Sequence, residues 1–356
     1  MRRLQIALLV ASVVGGVLQC SKKEPDPAAR VPTRLEHGTE LYGRICAVCH
    51  GKAGEGYKAD EATALAQPDF LASASDDFLR TAIKYGRSGT TMSAWSTERG
   101  GPLLPADVED VIAYLRTWDH APRAKLDDGP PLGDAAKAEA LYTRECLECH
   151  GVRGIGGPNV HIGNLDLLAS ASNGFLRLAI RNGRTGAQMP AFGGKLGDEG
   201  VEDLIALLRN WQSTQEPAVR QAAHPPPLPL GPVPLNPKGP EPVGFKKYPE
   251  NSGADVIKGQ LDRGAKMVIL DARAPSDYTN EHIAGAVSVP FYDPSPYYHQ
   301  LPTDAWLVCY CSCPHAESGQ LAQALVTHGF TKVTVLDEGL GVWKNRKYPT
   351  HTGEKP

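Results

Sequence analysis

The chain has 356 residues, 37 of them basic and 40 acidic, for a formal net charge of −3. That is too long for one ordinary core and suits two or three domains, while the near-neutral balance excludes the basic field that nucleic acid recruits. Thirty prolines point to a long unfolded connector, and the eight cysteines fall as one near the start, two C-x-x-C pairs and a cluster of three, which is not a disulfide-scaffold spacing.

At the N-terminus Arg2 and Arg3 precede an apolar run from Leu4 to Leu18, and Cys20 follows. A short basic segment with an apolar run of roughly 15 residues makes an export signal, whereas a spanning helix wants about 20. Val17-Leu18-Gln19-Cys20 resembles a bacterial lipoprotein processing site, although Gln19 stands where a small residue is usual. The resemblance implies a signal over 1–20, lipid on Cys20 and a tether over 21–34. An uncleaved short anchor is the alternative, and Arg2-Arg3 leaves a twin-arginine route open. Either way the rest of the chain is expected outside the cytoplasm, on the periplasmic side, tied to a membrane.

An internal repeat follows. Leu41-Tyr42…Cys46-Ala47-Val48-Cys49-His50-Gly51 recurs as Leu141-Tyr142…Cys146-Leu147-Glu148-Cys149-His150-Gly151. Phe78-Leu79-Arg80 recurs at 175–177, Gly86-Arg87…Gly89…Met92 as Gly183-Arg184…Gly186…Met189, and Val108 to Trp118 as Val201 to Trp211. The offset shrinks from 100 to 97 to 93, so only two short loops differ. Two homologous domains are expected, over 35–119 and 135–213, joined by 120–134.

C-x-x-C-H is the attachment signature of c-type haem: two thiols add across the haem vinyl groups, and the next histidine is held against the iron. Two covalently attached haems are expected, on Cys46, Cys49 and His50 and on Cys146, Cys149 and His150. Of the four methionines, Met1 lies in the signal and Met267 far downstream. Met92 and Met189 fall 46 and 43 residues after the first haem cysteine of each repeat, which nominates them as the second axial ligands. Domain one has no histidine between His50 and His120; in domain two His161 is a rival to Met189. The iron ligands are thus expected to be His50, Met92, His150 and Met189. His/Met ligation raises the potential and closes the iron to substrate, which favours electron transfer.

The stripes Val108, Val111, Ile112, Leu115, Trp118 and Val201, Leu204, Ile205, Leu208, Trp211 predict amphipathic helices whose apolar faces are core. Phe78-Leu79 and Ala82-Ile83 predict another helix, and Gly86, Gly89, Gly183 and Gly186 free the chain so that each methionine loop reaches its iron. Gly157-Pro158 is expected to supply the carbonyl that orients His150, with no counterpart in domain one. Domain one has the longer methionine loop, and Trp95 where domain two has Phe192, so the two haems are expected to differ modestly. With these residues, both repeats resemble class I cytochrome c domains, closest to the short forms in dihaem cytochromes and cbb3-type oxidase subunits, which implies two all-α domains.

Pro217 to Phe245 is dominated by proline, including His224-Pro225-Pro226-Pro227, and reads as a solvated polyproline-II spacer within a linker over 214–249. Such a spacer lets the third domain swing relative to the haems.

Beyond it, a helix from Asp255 to Arg263, the apolar runs Met267–Leu270, Leu307–Tyr310 and Val333–Leu336, and a helix over Gly319–His328 predict an α/β domain with a parallel sheet. Leu270-Asp271-Ala272-Arg273…Asp277-Tyr278…Glu281-His282-Ile283-Ala284-Gly285-Ala286…Val289-Pro290, with Gly329-Phe330…Gly339…Trp343, resembles the rhodanese family over 250–349, leaving a tail over 350–356. The resemblance implies that Cys311 ends the central strand in a loop whose amides and following helix stabilise a thiolate or persulfide. The loop Cys311-Ser312-Cys313-Pro314-His315-Ala316-Glu317-Ser318 departs from the family: the arginine usual near its end is replaced by Glu317. A carboxylate there is expected to raise the thiol and repel thiosulfate, with His315 offsetting it in part. Cys311 and Cys313 are the candidate nucleophile and resolving thiol, Cys309 a buried strand residue; a metal site from Cys311, Cys313 and His315 is the lesser alternative.

The expected protein is a membrane-tethered dihaem electron carrier whose partners are a respiratory complex, a terminal oxidase or a soluble cytochrome, with small sulfur species at the third domain and no nucleic acid. Two alternatives stand beside it. In one, Cys311 forms a persulfide or disulfide and the haems accept its electrons; in the other, the third domain is a silent docking module.

Overall fold

The computed structural model describes residues 31–56, 62–185, 187–215, 232–312 and 315–356. Cys20, Gly186, Cys313 and the proline-rich stretch over 216–231 lie outside the described residues. Among the described residues, no helix is long and apolar enough to cross a membrane.

In the first repeat α1 (Arg34–Leu41) continues through a π-helical turn, Tyr42–Cys46, into α2 (Ala47–His50), followed by α3 (Pro68–Ser73), α4 (Asp76–Tyr85) and α5 (Pro105–Arg116). The second repeat has α6 (Ala135–Glu145), α7 (Leu147–His150), a small hairpin of β1 (Gly151–Val152) and β2 (Ile155–Gly156), then α8 (Leu165–Ser170), α9 (Asn173–Asn182) and α10 (Gly193–Thr214), kinked at Gly197. The predicted apolar stripes are the buried faces: Val108, Val111, Ile112 and Leu115 on α5, and Val201, Leu204, Ile205 and Leu208 on α10. Each such side chain contributes about 1.5–3 kcal/mol on leaving water. The shared boundary chemistry is a serine cap: Ser75 and Ser172 accept hydrogen bonds from the amides of Phe78 and Phe175 (3.0 and 3.1 Å), which starts α4 and α9. α1 crosses α5 so closely that a Cβ on Gly38 would lie 2.1 Å from the Asp110 carbonyl oxygen, so only glycine fits there.

The C-terminal unit holds β3 (Asn251–Ser252), α11 (Ala254–Asp262), β4 (Met267–Asp271), α12 (Pro275–Asn280), β5 (His282–Ile283), β6 (Ala286–Ser288), β7 (Trp306–Tyr310), α13 (Ala316–His328), β8 (Val333–Leu336), α14 (Gly339–Asn345) and β9 (Thr350–His351). Five parallel strands order as β3-β8-β7-β4-β6, and the antiparallel pair β5–β9 ties in the tail. The central strands β4 and β7 are buried along their whole length, as continuous apolar runs in a two-sided sheet require.

The described half of the proline-rich segment is not a solvated spacer. Val233 and Leu235 pack against the core, Asn236 Nδ2 donates to the Gly264 carbonyl, the Lys266 amide donates to Pro240, and Phe245 meets Trp306 edge-on. These spaced apolar residues dock residues 232–249 as an arm on the α/β domain; prolines, lacking an N–H, leave the carbonyls and side chains to make the contacts.

Candidate haem and thiol sites

Both C-x-x-C-H segments end a short helix and turn at a glycine of positive φ, Gly51 and Gly151. The Tyr42 hydroxyl donates to the Gly51 carbonyl and the Tyr142 hydroxyl to Gly151, each at 2.7 Å, pinning the turn after each histidine. His50 Nδ1 donates to the Thr63 carbonyl (2.8 Å) and His150 Nδ1 to the Val160 carbonyl (2.9 Å), which leaves both Nε2 atoms to act as ligands. Gly157-Pro158 therefore does not supply the orienting carbonyl expected of it; Val160 does, two residues on, and Thr63 is the counterpart in domain one. Burial lowers the proton affinity of both imidazoles, keeping them neutral and ready to ligate.

The methionine loops are built alike. Arg87 and Arg184 amides donate to the Met92 and Met189 carbonyls (2.9 and 3.0 Å). Beneath them Gly86 and Gly183 take φ of 65° and 68°, and a Cβ there would lie 2.4 and 2.5 Å from those same carbonyl oxygens. One continuous apolar cavity is lined by Cys46, Cys49, His50 and Met92 together with Cys146, Cys149, His150 and Met189. His161 lines it as well.

The two repeats face each other through reciprocal contacts. The Ser88 amide donates to Asp166 Oδ2 (2.8 Å) and the Thr185 amide to Asp69 Oδ2 (3.0 Å). Arg87 donates to the Asp166 carbonyl and Arg184 to the Asp69 carbonyl, and Phe78 stacks on Phe175 with centroids 4.9 Å apart. Both guanidinium groups reach the cavity, and burial brings each down to about 10. The hydrogen bond from Thr185 holds the Asp69 carboxyl below its usual value.

The donor set suits a haem rather than a bare ion. Burial pushes the Cys46 thiol up to about 12 and the Cys146 thiol to about 11. Among the described residues, no three His, Cys, Asp or Glu side chains converge on a metal position. Paired cysteines, an oriented imidazole and a methionine around an apolar space match a covalently attached macrocycle.

In the third domain Cys311 follows β7 directly, is fully buried, and lies 3.3 Å from Ser318 Oγ at the start of α13. Its carbonyl accepts from the Leu340 amide (2.9 Å). Cys309 is buried within β7, and burial raises its thiol far above the ordinary range. Cys311 also packs against Cys49 and Ala316, and α13 packs on α2.

Family models match both parts: cytochrome c oxidase, cbb3-type, subunit III over 33–115 and 133–208, and the rhodanese-like domain over 254–346. A cbb3-type cytochrome c oxidase subunit FixP of Bradyrhizobium diazoefficiens is 30% identical over 203 residues, 55% of this chain and 67% of that protein. The thiosulfate sulfurtransferase GlpE of Pseudomonas fluorescens is 34% identical over 111 residues, 31% of this chain and 94% of that protein. The chain belongs to both families. Among solved structures, a rhodanese-like domain from Anabaena is 31% identical, covering 29% of this chain and 78% of that one, with a TM-score of 0.27. The chain spans about two thirds of the cbb3 subunit it matches.

Two expectations for the rhodanese-like loop change. Glu317 is buried, and burial beside Cys311 raises its carboxyl well above the ordinary range, which weakens the repulsion expected of a carboxylate there. His315 does not serve the thiol: its ring is engaged by Asp337 Oδ1 (2.8 Å) and Asn251 (3.0 Å). The cation that does reach the loop is Arg273, whose Nη1 donates to Ser312 Oγ (3.2 Å) while its other nitrogens clasp Asp271 (2.9 and 2.6 Å). In the sequence Arg273 is visible only as part of the family motif. The paired tyrosines and arginines of the cytochrome domains carry a signal in the repeat itself.

Proposed function

We propose that the chain is an exported dihaem electron carrier with domains over 35–119 and 135–213, fused to a sulfur-handling rhodanese-like domain over 250–349. The observation that carries this reading is the duplicated site: each C-x-x-C-H histidine is oriented by a backbone carbonyl and shares one apolar cavity with its repeat's methionine. His50 with Met92, and His150 with Met189, would hold the two irons. Bound there, the haems supply one-electron redox chemistry at closed, six-coordinate iron. The chain's own residues orient the imidazoles, exclude water with Phe78 and Phe175, and set cationic Arg87 and Arg184 at the cavity wall. Lipidation at Cys20 would keep the carrier at the membrane near respiratory partners; the likeness to a cbb3 oxidase subunit supports such partners. Spectroscopic haem counting with redox titration tests it. Two haems per chain, with Met92→Ala and Met189→Ala each lowering one midpoint potential, is the expected result; one haem, or potentials indifferent to both substitutions, refutes it.

The sulfur-oxidising reading gains support from the packing of Cys311 against Cys49, because a silent docking module has no need to bring its one strand-end cysteine to a haem-attachment residue.

A further inference from the structure

The face between the two cytochrome domains holds a pair of charges that the fold leaves short of a counter-ion. Arg87 and Arg184 occupy the same position in the two repeats, five residues before Met92 and Met189, and both line the one cavity the two sites share. Each belongs to one repeat by sequence and is held by the other. Arg87 Nη1 donates to the Asp166 carbonyl (3.3 Å), and Arg184 Nη1 to the Asp69 carbonyl (3.0 Å) and Ser73 Oγ (3.1 Å). These partners are neutral, and among the described residues neither guanidinium forms an ion pair. The facing carboxylates accept from backbone amides instead, Asp166 Oδ2 from Ser88 (2.8 Å) and Asp69 Oδ2 from Thr185 (3.0 Å). Burial outweighs the attraction of both carboxylates for the guanidinium groups. The other charged side chain on the cavity wall, Glu145, is taken by Lys195 (2.5 Å) and Arg144 (2.7 Å). Aromatic rings complete the surround: Arg87 lies over Phe78, 5.2 Å from its centroid, and Arg184 over Phe175 at 4.8 Å. Burying a cation without an anion is costly, so two such cations on one cavity wall point to a ligand that brings negative charge.

We propose that Arg87 and Arg184 form one cationic clasp for the propionate carboxylates of the bound haems, shared by both sites, so that each arginine sets the potential of both irons. The inference rests on the dihaem reading above and deepens it. The ligand chemistry follows from charge: attachment through the vinyl groups leaves the two propionates of each haem free, and these carboxylates supply the anion the cavity lacks. Sharing follows from placement. Each guanidinium is anchored by the methionine loop of its own repeat and by the first turn of the other repeat's helix, α8 for Arg87 and α3 for Arg184. It therefore stands between the two sites, in an enclosure of low dielectric where a charge acts farther than in water. A nearby cation disfavours the ferric form, which carries one more positive charge than the ferrous, and so raises the potential. Because the contacts are reciprocal, Arg87 acts on the second site as Arg184 acts on the first.

The test is a spectroelectrochemical titration of the full-length holo-protein that resolves both haem potentials, assigned to their repeats with Met92→Ala and Met189→Ala. It compares the native chain with Arg87→Gln, Arg184→Gln, Arg87→Lys and Arg184→Lys. Absorption counts the haems, and the methionine–iron charge-transfer band reads the axial ligands. Each glutamine variant should move both haems at least about threefold toward the ferric form, ~28 mV for one electron, with the methionine band intact. Each lysine variant keeps the charge and should recover most of that shift at both haems. A shift confined to the substituted repeat, no shift at all, or equal shifts with lysine and glutamine overturns the inference while the haem reading stands. The first of these marks a local residue and the last a loosened domain face. Where glutamine blocks haem attachment, the lysine variants decide: two haems near native potentials support the clasp, and loss of haem overturns it. A native chain that carries fewer than two haems overturns the dihaem reading as well.

Discussion

Arg273→Met isolates the electrostatics that hold the rhodanese-like loop. Asp271, at the end of β4, is fully buried and carries the Arg273 guanidinium in a two-pronged grip of 2.9 and 2.6 Å; the same guanidinium donates to the Glu281 carbonyl (2.7 Å) and to Ser312 Oγ (3.2 Å). The Tyr310 hydroxyl donates to the same Asp271 carboxylate. Removing the cation leaves a carboxylate in the core with only neutral donors, for which breaking one side of a buried pair costs about 3–5 kcal/mol. That is two to four powers of ten in the folded-to-unfolded ratio, at ~1.4 kcal/mol for each factor of ten. Asp271→Asn together with Arg273→Met removes both charges and should recover most of the loss. Denaturant titration followed by tryptophan fluorescence reads it, since Trp306 and Trp343 both belong to this domain's core. The single variant should also regain stability as pH falls and the orphaned carboxyl takes a proton, a trend the double variant lacks. A single-variant loss below about 1 kcal/mol, or a double variant no better than the single, would refute the reasoning, because exposed pairs behave that way and buried ones do not.

The raised Glu317 carboxyl has a signed consequence: the folded state keeps a proton that the unfolded state releases above its ordinary value of 4.5. Stability from this group is complete below that value and falls as pH rises toward the folded one, so Glu317→Gln should be more stable than the native chain at about pH 8 and level with it at about pH 4; parallel pH profiles would count against it. Gly86→Ala places a Cβ 2.4 Å from the Met92 carbonyl at a φ of 65°, so it should cost about 1–3 kcal/mol and lower the first haem's midpoint potential while sparing the second. Tyr42→Phe and Tyr142→Phe each delete a hydroxyl that donates to the turn after the C-x-x-C-H segment, and calorimetry should show a loss of about 0.5–1.5 kcal/mol apiece.

What is legible in the sequence is what repeats or alternates. The stripes on α5 and α10, the apolar runs of β4, β7 and β8, and the duplicated C-x-x-C-H segments all carry a period or a spacing, and each sits where that pattern predicts. The carbonyls that orient the histidines are not legible, because every residue owns a carbonyl and only the loop path selects Thr63 and Val160. Glu317 misleads for a different reason: its identity is visible, but the burial that raises its carboxyl comes from tertiary packing. The docked arm over 232–249 is hidden by its prolines, whose composition mimics a spacer although Val233, Leu235 and Phe245 are spaced to pack.

Duplication followed by local change accounts for how one chain makes two similar sites unequal. The Ser88–Asp166 and Thr185–Asp69 contacts are near mirror images, so the face between the cytochrome domains treats both sites alike. The difference arises just past the methionine: domain one has Ser93 and Trp95, and domain two Pro190 and Phe192, with a following loop shorter by four residues. Ser93 and Trp95 are the residues that grip Asp277, Phe291 and Tyr292. The rhodanese-like domain therefore covers one edge of the first site, replacing solvent there with protein of low polarisability. Exposure and hydrogen bonding around a haem tune its potential. The first site should thus titrate apart from the second, and cutting the grip with Trp95→Ala should move the first potential while leaving the second in place.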